Sequence, residues 1–421
     1  MSLIELIGAV FLFTAISAYI NERVFKLPDT IGMVLLAILV SILCILADAA
    51  GIADLRPIAE EFIEEVHFSE TVLHGMIAFL LFSGSLNVRT ADINDQRGLI
   101  LALAVGSTIL GSLLVGIFIY AMLSIIGFDV PFIQCLLFGA LISPTDPIAC
   151  LGIFKKLGMP ARIQVLVEGE SLFNDGMGVV VFLVVLEIAN GGQDATIMHA
   201  FALFGQQALG GMAIGTLCAL VAFFMLTGVT RTSSQALVTL ALVAGCFVLA
   251  EHLHVSGLIA IVAAGLIIGN YARDTVMTET RHHLDAFWEV IDEVLNAILF
   301  LFLGAHMILV PFEGGYIVAA LLAIPLCLLG RFASVAIPVH LLRVGPRFRA
   351  SRQAIIVILT WGGLRGGLSL AMCLSLEPSP TKDLFLMMTF AVVAFSILVQ
   401  GLTVGRIYTS EQLKAFAANA R

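Results

Sequence analysis

Apolar stretches of about 20 residues, the length that crosses a 30 Å hydrocarbon core, recur thirteen times along the chain. They lie at 3–22, 29–48, 69–88, 98–126, 131–155, 164–189, 199–228, 234–251, 254–271, 286–309, 315–342, 352–376 and 382–406. The pattern predicts thirteen transmembrane helices with the termini on opposite faces. The weakest divisions are between the eighth and ninth stretches, where only Glu251, His252 and His254 mark a turn, and at the acidic start of the tenth. The first stretch carries Glu5 and no basic leader or small-residue cleavage site, so it is expected to remain as a span.

Composition fits an all-α polytopic membrane protein. Sixty per cent of the 421 residues are hydrophobic and 12 % charged, against roughly 25 % charged in soluble domains, and the mean hydropathy is +1.07. The net charge of −9 comes from local acid clusters, Asp54 to Glu65 and Asp285 to Glu293, and describes no surface for a cationic partner; nucleic acid is not an expected partner. The seven cysteines sit in apolar stretches without CxxC or His-rich spacing, so they read as small packing residues. Lys and Arg set the orientation. Seventeen of the 21 alternate onto one face: Arg23, Lys26, Arg89, Arg97, Lys155, Lys156, Arg162, Arg231, Arg273, Arg281, Arg343, Arg347, Arg349, Arg352, Arg406, Lys414 and Arg421. The opposite face holds Arg56 and Lys382 alone. The expected topology is N-terminus outside and C-terminus cytoplasmic, in the plasma (inner) membrane.

Four charges then fall near the bilayer midplane. Asp146 lies within Ser143-Pro144-Thr145-Asp146-Pro147 in the fifth stretch. Asp175 closes Glu168-Gly169-Glu170-Ser171-Leu172-Phe173-Asn174-Asp175 in the sixth, about 11 residues or 16 Å deep. Arg331 and Arg365 are central in the eleventh and twelfth. An intramembrane carboxylate costs at least about 2.5 kcal/mol and is tolerated mainly where it lines an ion or proton path. Pro144 and Pro147 interrupt one helix, and Gly362, Gly363, Gly366 and Gly367 ease unwinding around Arg365. Taken alone, a proline pair is a common kink and a glycine run a common packing device. The two breaks lie seven stretches apart, which suggests inverted copies at 98–189 and 315–406. Among the histidines, His306 alone stands out as a pH-modulator candidate; Trp288 and Trp361 read as packing residues.

These two motifs, with Gly330-Arg331 and Gly363-Leu364-Arg365-Gly366, resemble the monovalent cation:proton antiporters of the NhaP/NHE branch. The resemblance implies an inverted-repeat fold with two discontinuous, crossed helices. It implies a core bundle (98–189 and 315–406), dimerisation or scaffold helices (1–88 and 199–309) and a homodimer; since the chain stops soon after Arg406, no soluble regulatory domain is expected. Carried over by motif position, Asp175 takes the cation or the proton, and Asp146, Thr145 and Ser171 help to coordinate, with Asn174 beside them. Glu170 pairs with a buried arginine, Arg331 in preference to Arg365. The expected activity is Na⁺ or Li⁺ exchange for H⁺, electroneutral because Asn174 stands where electrogenic relatives carry a second aspartate, with no cofactor and no enzyme chemistry. A K⁺/H⁺ antiporter of the same fold or a cation channel is the alternative; no HExxH, GxSxG or GxGD signature supports a protease.

Overall fold

A computed structural model describes residues 3–51, 75–88, 96–146, 150–152, 154, 158–159, 161–191, 197–229, 231–275, 278–309, 314–341 and 352–408. Several sequence features lie outside the described residues: the acidic run 54–65, the first part of the third stretch (69–74), Pro147, and many of the loop charges that set the orientation. Each of the thirteen apolar stretches carries helix. We number these α1 (Leu3–Ile20), α2 (Asp29–Ala49), α3 (Ile77–Asn87), α4 (Arg97–Ile126, with a π-helical segment at Ala102–Ser107), α5 (Phe132–Leu141), α6 (Ala161–Ala189), α7 (Ile197–Thr227), α8 (Thr232–His252), α9 (Gly257–Thr275), α10 (Thr278–Ala305), α11 (Gly314–Leu341), α12 (Arg352–Gly362), α13 (Gly367–Leu374) and α14 (Pro380–Phe395). After α14 the chain continues through a π-helical turn, Ser396–Gln400, into Gly401–Tyr408. Among the described residues nine helices are long and apolar enough to cross a membrane. The remaining stretches hold shorter helices, and two of these, at α5 and α12, stop at the breaks read from Pro144 and the glycines.

The outer surface is apolar as well as the core, and a set of polar and charged side chains is buried. Large apolar side chains such as Phe201, Phe224 and Leu237 point outward, while Ser85, Asn174, Glu170, Arg331 and Arg365 are buried. A hydrocarbon solvent produces this arrangement, because lipid tails compete equally for leucine but leave polar groups unsatisfied. Close helix approach depends on small residues. On α4, Gly116 meets the backbone of Leu136, and on α5 Gly139 meets that of Ser112. Two packed sets of helices result. One contains α4, α5, α6, α11, α12, α13 and α14; the other contains α2, α3, α7, α8, α9 and α10. Trp288 is buried in the second set against Phe79 and Phe82, donating Nε1–H to Thr239 at 3.1 Å. His306 is also buried there, with Nδ1 2.6 Å from the Phe302 carbonyl. It is not among the residues that line the cavity described next.

Candidate ion-binding site

The two helix breaks cross. α5 ends at Leu141 and the chain runs without helix from Ser143 to Asp146, because Pro144 has no N–H to continue the ladder. The second break runs from Gly363 to Gly366, between α12 and α13. At the crossing the Asp146 N–H donates to the Leu364 carbonyl at 2.8 Å, an isolated antiparallel bridge. Gly366 is required there. A Cβ on it would stand 2.8 Å from Asp146 Oδ2 and 2.9 Å from Asp146 Cβ.

A helix that stops inside a membrane leaves carbonyls without partners and a negative dipole end. Each stump is met by an arginine. The Arg365 guanidinium donates through Nη1 to the Ser143 carbonyl and, at 3.0 Å, to the Pro144 carbonyl. Arg331, from α11, donates Nε–H to the Leu359 carbonyl of α12 at 3.2 Å. Its other nitrogens fork onto Glu170, Nη1 to Oε1 at 2.8 Å and Nη2 to Oε2 at 3.0 Å. A bidentate pair of this kind is the arrangement in which buried opposite charges are best satisfied. Arg365, grouped in the sequence reading with Glu170 and Arg331 as an ion-pair residue, is therefore placed differently. It holds the Ser143 and Pro144 carbonyls within the break, and the structure pairs Glu170 with Arg331.

The remaining polar residues of α6 form a ladder. Asn174 Nδ2 donates to Glu170 Oε1 and to Thr145 Oγ1, both at 3.1 Å. Thr145 Oγ1 lies 3.1 Å from Ser171 Oγ. Asn174 thus ties the ion pair to the break after α5. Asp175, one residue on, faces a cavity of about 1100 Å³ together with Thr145, Asp146 and Gly366. Glu170 is not part of that lining. Gly178, one turn beyond Asp175, receives Pro144; a Cβ there would lie 2.5 Å from the proline ring.

Three site residues went unnoticed in the sequence. Ser396 accepts the Arg365 backbone N–H at 2.8 Å, and Gln400 donates to the Trp361 carbonyl at 3.2 Å. Both sit on the π-helical turn after α14, so a local change of helical register turns two side chains toward the break. Ser369 lines the cavity from the first turn of α13, and its buried hydroxyl has no hydrogen-bond partner among the described residues. The only advance signal for these residues was polarity within an apolar run, which many packing serines share.

Comparison with known proteins places this architecture. A family profile described as sodium/hydrogen exchanger, transmembrane, matches residues 10–409. The Na⁺/H⁺ antiporter NhaP of Pseudomonas aeruginosa is 40 % identical over 421 residues, spanning 98 % of this chain and 99 % of that protein. The Na⁺/H⁺ antiporter NhaH of Halobacillus dabanensis is 33 % identical, over 92 % of this chain and 93 % of its own. Among solved structures, the sodium proton antiporter MjNhaP1 from Methanocaldococcus jannaschii at pH 8 superposes with a TM-score of 0.75 at 18 % identity, covering 98 % of this chain and 100 % of the other.

Proposed function

The chain belongs to the sodium/hydrogen exchanger family, and from that premise we propose that it exchanges Na⁺ for H⁺ across the membrane, one for one, by alternating access. The observation that carries this reading is the contrast between Asp175 and its charged neighbours. Glu170 is held by Arg331, and Arg365 by two backbone carbonyls, whereas Asp175 opens onto the cavity opposite the crossing. A bare carboxylate away from water is costly, so it takes either a proton or a cation held with other hard oxygens. The oxygens that share the cavity with it are those of Asp146 and Thr145; Ser171, outside that lining, is held against Thr145 Oγ1. Cation and proton compete for one group, and movement of the core only when that group is neutralised makes exchange obligatory. The names of the relatives favour sodium over potassium and exchange over a channel.

The two packed helix sets serve as the moving core (98–189 and 315–406) and the scaffold of a homodimer (1–88 and 199–309). With the thirteen-span topology and a cytoplasmic C-terminus, Asp29, Glu168 and Asp285 lie at the cytoplasmic ends of their helices. Since all three line the cavity, this conformation faces inward.

Electroneutrality follows from the same arrangement. Asn174 is neutral and Glu170 is committed to arginine, so one titrating carboxylate travels with the core. Asp146 stays ionised, because its carboxylate sits against Gly366 at the N-terminal, positive end of α13. In proteoliposomes, Na⁺ is expected to dissipate an imposed proton gradient. The Na⁺ gradient that balances a given proton gradient is expected to be the same at 0 and about −100 mV. One extra proton per cycle would couple about 2.3 kcal/mol per 100 mV and shift that balance about 50-fold, which would overturn the one-for-one assignment.

Gly366→Ala tests the geometry of the crossing. Its backbone is extended and open to any residue (φ −125°, ψ −162°), so the effect is purely steric. Displacing Asp146 is expected to raise the apparent Na⁺ KM about tenfold, equivalent to roughly 1.4 kcal/mol, with little change in the melting temperature. An unchanged KM would show that Asp146 takes no part in holding the ion.

A further inference from the structure

One face of α10 forms part of the cavity wall on the scaffold side. Asp285, Glu289, Asp292 and Asn296 follow one another at intervals of four, three and four residues, which aligns them in one stripe along the helix, and all four line the cavity. At 1.5 Å per residue the stripe runs about 16 Å inward from the acidic end. Its deep end is built differently. Asn296 is only 5 % exposed, and its Nδ2 donates to Asp292 Oδ2 at 3.1 Å. That bond fixes the amide, and the buried carbonyl oxygen, Oδ1, has no hydrogen-bond partner among the described residues. Such an oxygen is unfavourable unless something donates to it or is coordinated by it.

The surroundings favour coordination. The other side chains of the stripe are carboxylates, which when ionised only accept. An ionised carboxylate and a neutral amide oxygen one turn apart are hard ligands with a single formal charge between them, suited to an alkali cation more than to a divalent one. The position also lies on the route to the crossing. Leu299, one turn beyond Asn296, packs on Gly367, where a Cβ would stand 2.6 Å from its Cδ1, and the adjacent Gly366 faces Asp146.

We propose that Asp292 and Asn296 form a second monovalent-cation site, on the scaffold wall, where an incoming ion trades part of its water shell for these two oxygens before it reaches Asp175. The staging role rests on the exchange reading above; the binding does not. The test uses purified full-length Asp175→Asn protein, whose transport site has lost its exchangeable carboxylate. It is expected to retain saturable binding of about one radiolabelled Na⁺ per chain. Adding Asp292→Asn or Asn296→Leu is expected to weaken that binding at least about tenfold, while adding Asn296→Asp preserves or tightens it. Asn296→Leu removes the unpartnered oxygen together with the hydrogen bond to Asp292, so its melting temperature is measured beside the binding; if that variant does not fold, the Asp292→Asn and Asn296→Asp arms decide. Absence of saturable Na⁺ binding in the Asp175→Asn protein, or binding that survives both Asp292→Asn and Asn296→Leu, overturns the second site. The two readings fail separately, because transport by Asp175→Asn would overturn the exchange mechanism whatever α10 binds.

Discussion

Asp175→Asn is expected to reduce Na⁺-dependent proton movement in proteoliposomes to the background of empty vesicles, while the protein purifies and melts like the wild type. The amide has the size of the acid but neither gains a proton nor balances a cation. Loss of one of the two carboxylates beside the ion weakens cation binding, about tenfold for each 1.4 kcal/mol lost. Loss of the exchangeable proton removes the return half-cycle as well. Asp146→Asn is expected to be nearly as damaging, or to raise the apparent cation KM about tenfold, because Asp146 faces the same cavity from the opposite break. Exchange by Asp175→Asn at close to the wild-type rate would sink the assignment of the carrier.

Much of this site was legible along the chain because membrane burial makes polarity conspicuous. Asp146, Asp175, Arg331 and Arg365 stand out in apolar runs, and counting 1.5 Å per residue puts them at similar depth. The helix breaks were legible for a different reason, since proline and glycine act on the backbone locally. Azimuth was not legible across a break. Once α5 and α12 unwind, helical periodicity no longer says which way a following side chain turns. The choice between Arg331 and Arg365 for Glu170 therefore depended on resemblance. Seen in the fold, the arginines divide two tasks: Arg365 covers the stump of α5, and Arg331 covers the stump of α12 while gripping Glu170. The stripe on α10 was hidden for the opposite reason. Asp285 to Glu293 has clear helical spacing, but its density of acids made it look like the ragged start of a span. Only the cavity shows that those acids share a wall with Asn296.

Glu170→Ala is expected to lower stability far more than it changes the preference among alkali ions, because Glu170 does not line the cavity and both its oxygens are occupied by Arg331. Removing it strands a buried guanidinium, at a cost of about 3–5 kcal/mol, and takes one of the two acceptors from Asn174 Nδ2. Arg331→Met is expected to be destabilising in its turn, since it leaves a buried carboxylate and takes one of two donors from the Leu359 carbonyl, which keeps the Gly363 N–H. The combination Glu170→Ala with Arg331→Met strands neither charge. Its melting temperature in detergent is expected to lie clearly above the sum of the two single losses, the signature of a directly interacting pair. The same cycle run between Glu170 and Arg365 is expected to be close to additive, because Arg365 spends its donors on Ser143 and Pro144. Strong coupling to Arg365 with additivity at Arg331 would reverse the roles of the two arginines. The residue tethering Asn174 and the break after α5 would then not be anchored to α11, and the division of labour between the two helix stumps would have to be redrawn.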